Sequence, residues 1–198
     1  AGTTEAKPLF PTSVYAVSKQ DQEQYCLAIG RSYKIPTVAF RYFNVYGPQE
    51  NHKGKMASMV LQMFNQWKAE GRVKLFEGFD GYGNGEQVRD FIYVKDVVKV
   101  NFFFWDHPEL KGIYNCGTGH AHTFNTLAKG VLKYFGSGEL EYVPFPEVLK
   151  GKYQSFTEAD SSKLLAAGYD GGFTDIETAV AEYCELLDKN EGYLRIER

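Results

Sequence analysis

Short runs of β-branched and aromatic residues alternate with longer segments of helical periodicity along most of this chain. VKLF at 73–76 and VRDFIYV at 88–94 have the composition of buried strands, and MASMVLQMFNQW at 56–67 has apolar residues at helical spacing. Strands that alternate with helices are typical of proteins in which crossover helices join parallel strands. The alternation therefore predicts an α/β fold.

Cap and turn signals set the bounds of the other predicted elements. Ser13 begins a predicted helix that runs to Tyr33, and IPTVAFRYFNVYGP at 35–48 predicts one buried strand that leads into a loop. Thr174 and Glu177 predict a capping box on the last helix. The remaining predictions are helices at 96–106, at 123–135 with Thr123 as its cap and within 157–169, and strands within 112–119 and 140–146.

Composition restricts the class of protein. The 198 residues, with 43% hydrophobic and 16% aromatic content, can bury a sizeable core. The formal net charge of -3 argues against a nucleic-acid partner. The longest apolar run, VNFFFW at 100–105, is too short to span a bilayer, and no basic-then-apolar secretory signal opens the chain. We therefore expect no membrane partner and a cytoplasmic location.

Cysteine and histidine spacing predicts no metal site. Cys26, Cys116 and Cys184 are far apart and lack the C-x-x-C spacing of zinc sites, so we expect buried thiols in a reducing compartment. His120 and His122 alternate on a predicted turn without a cysteine or carboxylate cluster beside them. Surface histidines explain this pattern better than metal ligands do.

The stretch YAVSK brings a tyrosine and a lysine to one helical face. Tyr15 and Lys19 lie one turn apart on the first predicted helix. A phenol titrates near pH ~10 and accepts a proton at neutral pH only if its phenolate is stabilised, which a nearby ammonium does. The pair suits oxidation of an alcohol, in which a base takes the hydroxyl proton while hydride passes to a nicotinamide. Taken alone, the spacing is also typical of a solvated helix face.

The glycine-rich stretch GFDGYGNGE at 78–86 does not have the context of a dinucleotide fingerprint. It follows one predicted strand and leads into another, so no helix N-terminus follows it to receive a pyrophosphate. We therefore expect the N-terminal cofactor-binding segment of a nicotinamide enzyme to be absent from this chain.

Three motifs in sequence resemble the extended short-chain dehydrogenase/reductase family of nucleotide-sugar epimerases and dehydratases: YAVSK at 15–19, FRYFNVYGP at 40–48 and VRDFIYVKDV at 88–97. NHKGKMAS at 51–58 and LKGKYQSFTEAD at 149–160 narrow the resemblance to the branch of that family that acts on ADP-heptose. The similarity covers residues 7–187. It implies an NADP-dependent epimerase of lipopolysaccharide core synthesis, active as a homo-oligomer, with pentamers among its relatives.

The resemblance also refines the fold prediction. It implies the later part of a Rossmann-like doubly wound parallel sheet plus a small C-terminal α/β substrate-binding lobe. On this basis 1–50 would complete the NADP-binding domain and carry the catalytic helix. Residues 51–188 would be mostly substrate lobe with segments that return to the first domain, and 189–198 a loosely ordered tail.

The resemblance implies two acid/base groups, because the alcohol oxygen lies differently in the two epimers. Tyr15 would be one base and Lys53 the other, while Lys19 would hold the nicotinamide ribose. His52 and Lys55 are near enough in sequence to favour the neutral amine of Lys53 by their positive charge. The alternative for Lys53 is an exposed loop lysine.

The remaining implied contacts each have a structural alternative. Asn44 would meet a substrate hydroxyl or make a turn hydrogen bond, and Val45 would touch the cofactor or pack within its strand. Arg89 would offer a planar fork to the ADP diphosphate, or pair with Asp90 or Asp96. The other implied substrate contacts are Phe76, Glu77, Gly78 and Phe79 along the nucleotide, Tyr153 on the sugar or phosphate, Lys55 where many relatives have serine, and Gln62 where they have histidine.

Phe76 and Tyr153 have alternatives of their own. Phe76 could stack on adenine or pack into the core, and Tyr153 by itself would be an ordinary surface residue.

Two other functions stay open. One is an epimerase or dehydratase of another nucleotide sugar, such as the UDP-galactose 4-epimerase type, against which the segment at 51–58 argues. The other is an inactive substrate-lobe or subunit-contact module. Without a cofactor turn, such a chain would expose strand edges and apolar surface, and we expect it to aggregate or to need a complementary piece.

Overall fold

The computed structural model describes residues 2–151 and 153–194 of the chain. Helices and strands alternate through these residues, which confirms the predicted α/β class. The predicted loose tail at 189–198 falls partly outside them, and its first two residues belong to the last helix. In chain order the elements are α1 (Val14–Tyr33), β1 (Val38–Tyr42), β2 (Asn44–Tyr46), α2 (Met59–Glu70), β3 (Arg72–Phe76), β4 (Val88–Tyr93), α3 (Val94–Asp106), β5 (Gly112–Cys116), β6 (Ala121–Thr123), α4 (Phe124–Phe135), β7 (Glu139–Val143), α5 (Ser162–Ala166) and α6 (Ile176–Asn190).

Helix α1 has the bounds that its sequence predicts. The Ser13 hydroxyl accepts the N–H of Ala16 at 3.1 Å and so caps the first turn. The helix ends at Lys34, which takes a left-handed conformation and donates its N–H to the carbonyl of Gly30. Tyr15 and Lys19 therefore lie on the first turns of a regular helix.

The run at 35–48 forms two strands, so the prediction of one strand was wrong. β1 pairs in parallel with β5, whereas β2 pairs in parallel with β4 in another sheet. The chain changes sheet at Phe43, whose N–H donates to the carbonyl of Cys116 at 3.0 Å. Both strands contain β-branched and aromatic residues, so composition gives no sign of the change.

Strand β4 is the central strand of a three-stranded sheet and borders both hydrophobic cores. It pairs in parallel with β2 and antiparallel with β6, which the sequence did not predict. His122 belongs to β6 and not to a turn. Successive side chains of β4 point to opposite faces, so Phe91 and Tyr93 enter one core and Ile92 the other.

The two cores lie on opposite sides of β4. The larger core fills the space among α2, α4, α6 and the parallel pair of β3 and β7, and the smaller one lies among α3, β5 and α5. Fully buried side chains of the larger core include Val60, Met63, Leu127, Val131 and Tyr183, and those of the smaller core include Ile92, Val100, Cys116 and Leu164.

Helix α2 begins three residues later than its apolar spacing predicts. Ser58 caps it by accepting the N–H of Leu61, and Met56 lies in the preceding 3-10 helix. Of the three methionines at this apolar spacing, Met63 is fully buried and Met59 is half-buried. Met56, which precedes the helix, is 86% exposed.

The predicted capping box of α6 is also wrong. Asp175 is the cap, and its carboxylate accepts the N–H groups of Glu177 and Thr178 at 3.0 and 3.1 Å. Thr174 instead donates its N–H and hydroxyl to the buried carboxylate of Asp96, at 2.7 and 2.9 Å. A distant partner therefore competes for the residue that local spacing selects.

The cysteine thiols and the helices can be compared with the predictions of buried cysteines and of no membrane-spanning segment. Cys116 and Cys184 are buried as expected, and burial raises the pKa of each thiol to about 12. Cys26 is exposed on α1, contrary to the prediction. Within 2–151 and 153–194, no helix has the length and apolar character needed to cross a bilayer.

Candidate functional site

A cavity of about 400 Å³ opens between the ends of β2, β3 and β4 and the start of α2. Its wall is mainly apolar, with contributions from Met59, Phe91 and Phe124. Pockets of this size with a few convergent polar groups are typical of small-molecule sites. Six residues implied by the family resemblance line it: Asn44, Val45, Lys53, Phe76, Arg89 and Tyr153.

Arg89 is the strongest candidate for an anion ligand in this cavity. Its side chain comes from β4 and is only 8% exposed. One guanidinium N–H donates to the carbonyl of Val88 at 2.9 Å, and the guanidinium carbon lies 4.9 Å from the ring centre of Tyr153. Burial lowers the pKa of Arg89, which nevertheless remains charged. A buried cation without a carboxylate partner suits a phosphate ligand.

The two acidic residues that might have paired with Arg89 have other partners. The fully buried Asp90 accepts the N–H groups of Thr118, Gly119 and Ala159 at 2.8, 2.9 and 3.0 Å. Asp96 is bound to Thr174 and to Lys99. Among the described residues, Arg89 therefore forms an ion pair with neither of them.

Aromatic side chains form a cluster beside Arg89. Phe145 is its centre, stacked on Phe79 with 4.5 Å between ring centres and an interplanar angle of 17°. Phe76 and Tyr153 meet the same ring edge-on at 5.5 and 5.3 Å. Phe76 thus packs against another aromatic residue, as one of its predicted alternatives has it, and it also lines the cavity. Burial raises the pKa of Tyr153, and the charge of Arg89 partly opposes this rise.

Strand pairing explains why Phe145 joins this cluster, although sequence reasoning did not select it. β3 and β7 are parallel, with Phe76 opposite Val143, so the segments that follow both strands lie at the same sheet edge. The N–H of Glu77 donates to the carbonyl of Val143 at 2.8 Å. At Gly78 a side chain is excluded, because an added Cβ would lie 2.3 Å from the carbonyl oxygen of Tyr82. The usable signal was a phenylalanine between two prolines directly after a strand.

Asn44 lies at the start of β2, at the edge of the cavity. Its amide nitrogen donates to the carbonyl of Asp90 at 3.1 Å and to the hydroxyl of Thr157 at 3.3 Å, so its local hydrogen bonds are to a neighbouring strand and not to a turn. The described residues provide no donor to its Oδ1, which is therefore able to accept a hydrogen bond from a sugar hydroxyl. Val45 packs against the smaller core and also lines the cavity.

Lys53 belongs to the 3-10 helix Asn51–Met56, in which Gly54 has a φ of 52°. The lysine side chain is 46% exposed, and its Nζ lies 3.9 Å from the carboxylate of Glu50. Gln62 of α2 donates its side-chain N–H to the carbonyl of Ala57, which ends this 3-10 helix, at 2.8 Å.

Sequence reasoning missed the buried polar residues Glu50 and Gln87, which also line this cavity.

The structure does not bring all the predicted site residues to the cavity. Tyr15 and Lys19 share a face of α1, with the Nζ of Lys19 at 5.6 Å from the tyrosine ring centre. Tyr15 is 70% exposed, so the pair is accessible to a bound ribose and to an alcohol. Within the described part of the chain, the predicted site residues that do not line the cavity are Tyr15, Lys19, Lys55, Gln62, Glu77, Gly78 and Phe79.

One further sequence observation has a structural counterpart. The glycine-rich loop leads into β4, a strand, as predicted. Among the residues that the structure describes, no group of three or more histidine, cysteine, aspartate or glutamate side chains could hold a metal ion.

Comparisons with known proteins agree on one family. The NAD dependent epimerase/dehydratase family matches residues 1–117. The ADP-L-glycero-D-manno-heptose-6-epimerase of Alkalilimnicola ehrlichii is 53% identical over 177 residues, which are 89% of this chain and 55% of that protein. A protein of the same name from Brachyspira hyodysenteriae is 47% identical over 192 residues, or 96% of this chain and 59% of that protein.

The solved structures that are similar to this chain include two epimerases. The ADP-L-glycero-D-manno-heptose-6-epimerase of Helicobacter pylori is 30% identical with a TM-score of 0.76, over 96% of this chain and 55% of its own. The UDP-glucose 4-epimerase of Thermus thermophilus, in complex with NAD, is 27% identical with a TM-score of 0.79, over 96% of this chain and 58% of its own. The chain thus spans between half and two thirds of the length of these relatives.

Proposed function

Because this chain belongs to the NAD dependent epimerase/dehydratase family, we propose that it takes part in converting ADP-D-glycero-D-manno-heptose to ADP-L-glycero-D-manno-heptose. The observation that carries the proposal is the buried guanidinium of Arg89, which faces a cavity of about 400 Å³ without a carboxylate partner among the described residues. The relatives that are about half identical to this chain support the choice of sugar nucleotide.

Substrate binding uses three kinds of contact. Arg89 holds the diphosphate with its planar fork, which can form two parallel hydrogen bonds. The ring cluster of Phe79 and Phe145 receives the adenine, because a flat base and an aromatic ring stack well. Asn44 accepts a hydrogen bond from a sugar hydroxyl at its Oδ1.

Proton transfer at the inverted carbon belongs to Tyr15 and Lys53. A bound nicotinamide would accept a hydride from this carbon and return it. Tyr15 takes the hydroxyl proton of one epimer as its phenolate is stabilised by Lys19, and Lys53 handles the proton of the other. When the carbon is reduced from the opposite side, the other group of the pair donates a proton to the oxygen. The hydride that was removed is returned, so the reaction has no net redox change.

The cofactor, location and assembly complete the proposal. Lys19 and Val45 hold the nicotinamide nucleotide, and the exposure of Lys19 on α1 is compatible with a ribose contact. NADP in preference to NAD, the lipopolysaccharide pathway and a homo-oligomer, a pentamer among the possible forms, follow from the resemblance to ADP-heptose epimerases. The cytoplasm supplies both NADP and sugar nucleotides.

The competing function is an epimerase of a UDP-hexose, which the likeness to the Thermus enzyme favours. Calorimetric titration with ADP-heptose and with UDP-galactose, each with NADP present, separates the two. We expect at least tenfold tighter binding of ADP-heptose by this chain, and epimer in the product, analysed by NMR, from a full-length enzyme that contains this segment. Tighter binding of UDP-galactose would reject the proposed substrate. Binding of ADP-heptose without turnover by that full-length enzyme would instead favour a substrate-lobe module.

Separate replacement of the two bases in a full-length enzyme that contains this segment tests the chemistry. Tyr15→Phe and Lys53→Met should leave ADP-heptose affinity within about twofold and lower kcat in both directions by about 10²-fold or more, because each removes one proton-transfer group. Tyr33→Phe on α1 and Lys129→Met on α4, both exposed, are matched controls that should retain activity. Full activity of either base variant would remove that residue from the mechanism.

A further inference from the structure

Glu50 is a buried carboxylate that directly precedes the 3-10 helix that carries Lys53. It is 3% exposed, and three donors surround it. The N–H and hydroxyl of Ser58 donate to it at 2.9 and 2.5 Å, and the hydroxyl of Tyr183 donates at 2.8 Å. A buried charge is costly unless it is paired and hydrogen-bonded, and these donors, two of them at the start of α2, offset that cost.

The contacts of Glu50 fix both ends of the Lys53 segment. Glu50 precedes the 3-10 helix and Ser58 follows it, so their hydrogen bonds close residues 51–57 into a short loop. Tyr183 reaches this loop from the middle of α6 and belongs to the larger core. Burial and the negative charge of Glu50 raise the pKa of Tyr183, so its hydroxyl keeps the proton that it donates.

The same carboxylate also faces the amine of Lys53. Its Oε2 lies 3.9 Å from the lysine Nζ, and both residues line the cavity. The other lysine of the cavity wall, Lys74, is paired with Glu70 at 2.6 Å and is thus directed elsewhere. Glu50 is therefore the acidic group, among the described residues, whose geometry can hold Lys53 toward the ligand.

We propose that Glu50 is a positioning residue that holds the Nζ of Lys53 at the cavity wall, with Tyr183 and Ser58 fixing the carboxylate. This inference rests on the proposed role of Lys53 as an acid/base group. In this proposal Glu50 acts through Lys53 and takes no part in proton transfer itself. It determines the position of the lysine amine and, through its hydrogen bond with Tyr183, connects that position to α6.

Lysine labelling tests the proposal without any need for turnover. The purified chain is treated with trinitrobenzenesulfonate, digested with chymotrypsin, and the labelling rates of Lys53 and Lys55 are measured by mass spectrometry. Glu50→Gln should raise the rate at Lys53 at least threefold relative to Lys55, because only Lys53 loses a carboxylate partner. An unchanged ratio, or an equal rise at both lysines from a loosened loop, would overturn the proposal.

Kinetics with a conservative variant provide the second test. Glu50→Gln should lower kcat about 10- to 100-fold with KM within twofold, and Glu50→Asp should recover part of the loss. If Glu50→Gln does not fold, Tyr183→Phe keeps the carboxylate but removes its bond to α6, and should shift the labelling ratio and kcat in the same direction by less. Unchanged kcat and ratio in these folded variants would reject the proposal. A changed ratio in a full-length enzyme without epimerase activity would instead reject the proposed function alone.

Discussion

At the scale of single residues, the buried charged side chains of the site differ in how many hydrogen bonds they make within the protein. Asp90 and Asp96 each accept several hydrogen bonds from the protein, whereas Arg89 donates to one carbonyl and lies over the ring of Tyr153. A satisfied buried charge stabilises local structure, while a cation with unused donors is able to bind a ligand. This difference places the aspartates in the scaffold and supports the proposed role of Arg89 in binding.

Arg89→Lys should weaken ADP binding about tenfold, equivalent to about 1.4 kcal/mol. Lysine keeps the charge but loses both the planar fork and the stacking on Tyr153. Titration calorimetry with ADP measures the change. Arg72→Lys, on the exposed side of β3 and paired with Glu141 at 3.3 Å, is the matched control and should bind ADP normally. Equal ADP affinity of the Arg89 variant and the wild type would restrict Arg89 to packing.

The sequence predicts some of these residues and not others for a physical reason. Asn44 and Arg89 belong to short motifs whose neighbours are adjacent in the chain, so pattern alone selects them. Glu50 and Phe145 acquire their surroundings from segments far away, Tyr183 in one case and Phe79 in the other. Their importance is a property of the folded chain.

At the scale of elements, local signals predict helices better than they predict strands. The caps of α1 and α4 at Ser13 and Thr123 were readable because each cap bonds only a few residues ahead. The split between β1 and β2 and the short β6 depend on pairing with distant strands, which composition does not encode. The predicted capping box of α6 is wrong for the same reason, because Thr174 bonds to the distant Asp96.

The α6 cap can be tested directly. Asp175→Ala should lower the free energy of unfolding by about 1 kcal/mol, because two N–H groups of the first turn lose their acceptor. Glu177→Ala removes only an exposed pair with Lys133 and should cost less than about 0.5 kcal/mol. Urea unfolding followed by circular dichroism measures both. A cost at Glu177 as large as that at Asp175 would restore the capping box that spacing predicted.

At the scale of the whole molecule, β4 joins the two cores into one cooperative structure. Its alternating side chains serve the larger core through Phe91 and Tyr93 and the smaller core through Ile92. Loss of order in either core therefore removes support from the strand that the other needs. We expect the described part of the chain to unfold as one unit.

Ile92→Ala should destabilise the protein by about 3 kcal/mol, because it leaves a cavity at a fully buried position. Trp67, which stacks on Phe135 beside the larger core, serves as the fluorescent probe after Trp105→Phe removes the other tryptophan. In urea, the Trp67 transition should shift although Ile92 belongs to the smaller core. Val98→Ala, at a half-exposed position of α3, is the control and should cost under about 0.5 kcal/mol. An unshifted Trp67 transition in Ile92→Ala would show independent cores.

The hydrogen bond between Tyr183 and Glu50 spans 133 residues. During synthesis, the lysine-bearing loop leaves the ribosome long before the tyrosine that completes its support has been added. At ordinary translation rates, this interval lasts on the order of ten seconds. The loop of a nascent chain therefore lacks this support until nearly all of the described residues have been made, and a product truncated before Tyr183 would lack the hydrogen bond that fixes Glu50 beside Lys53.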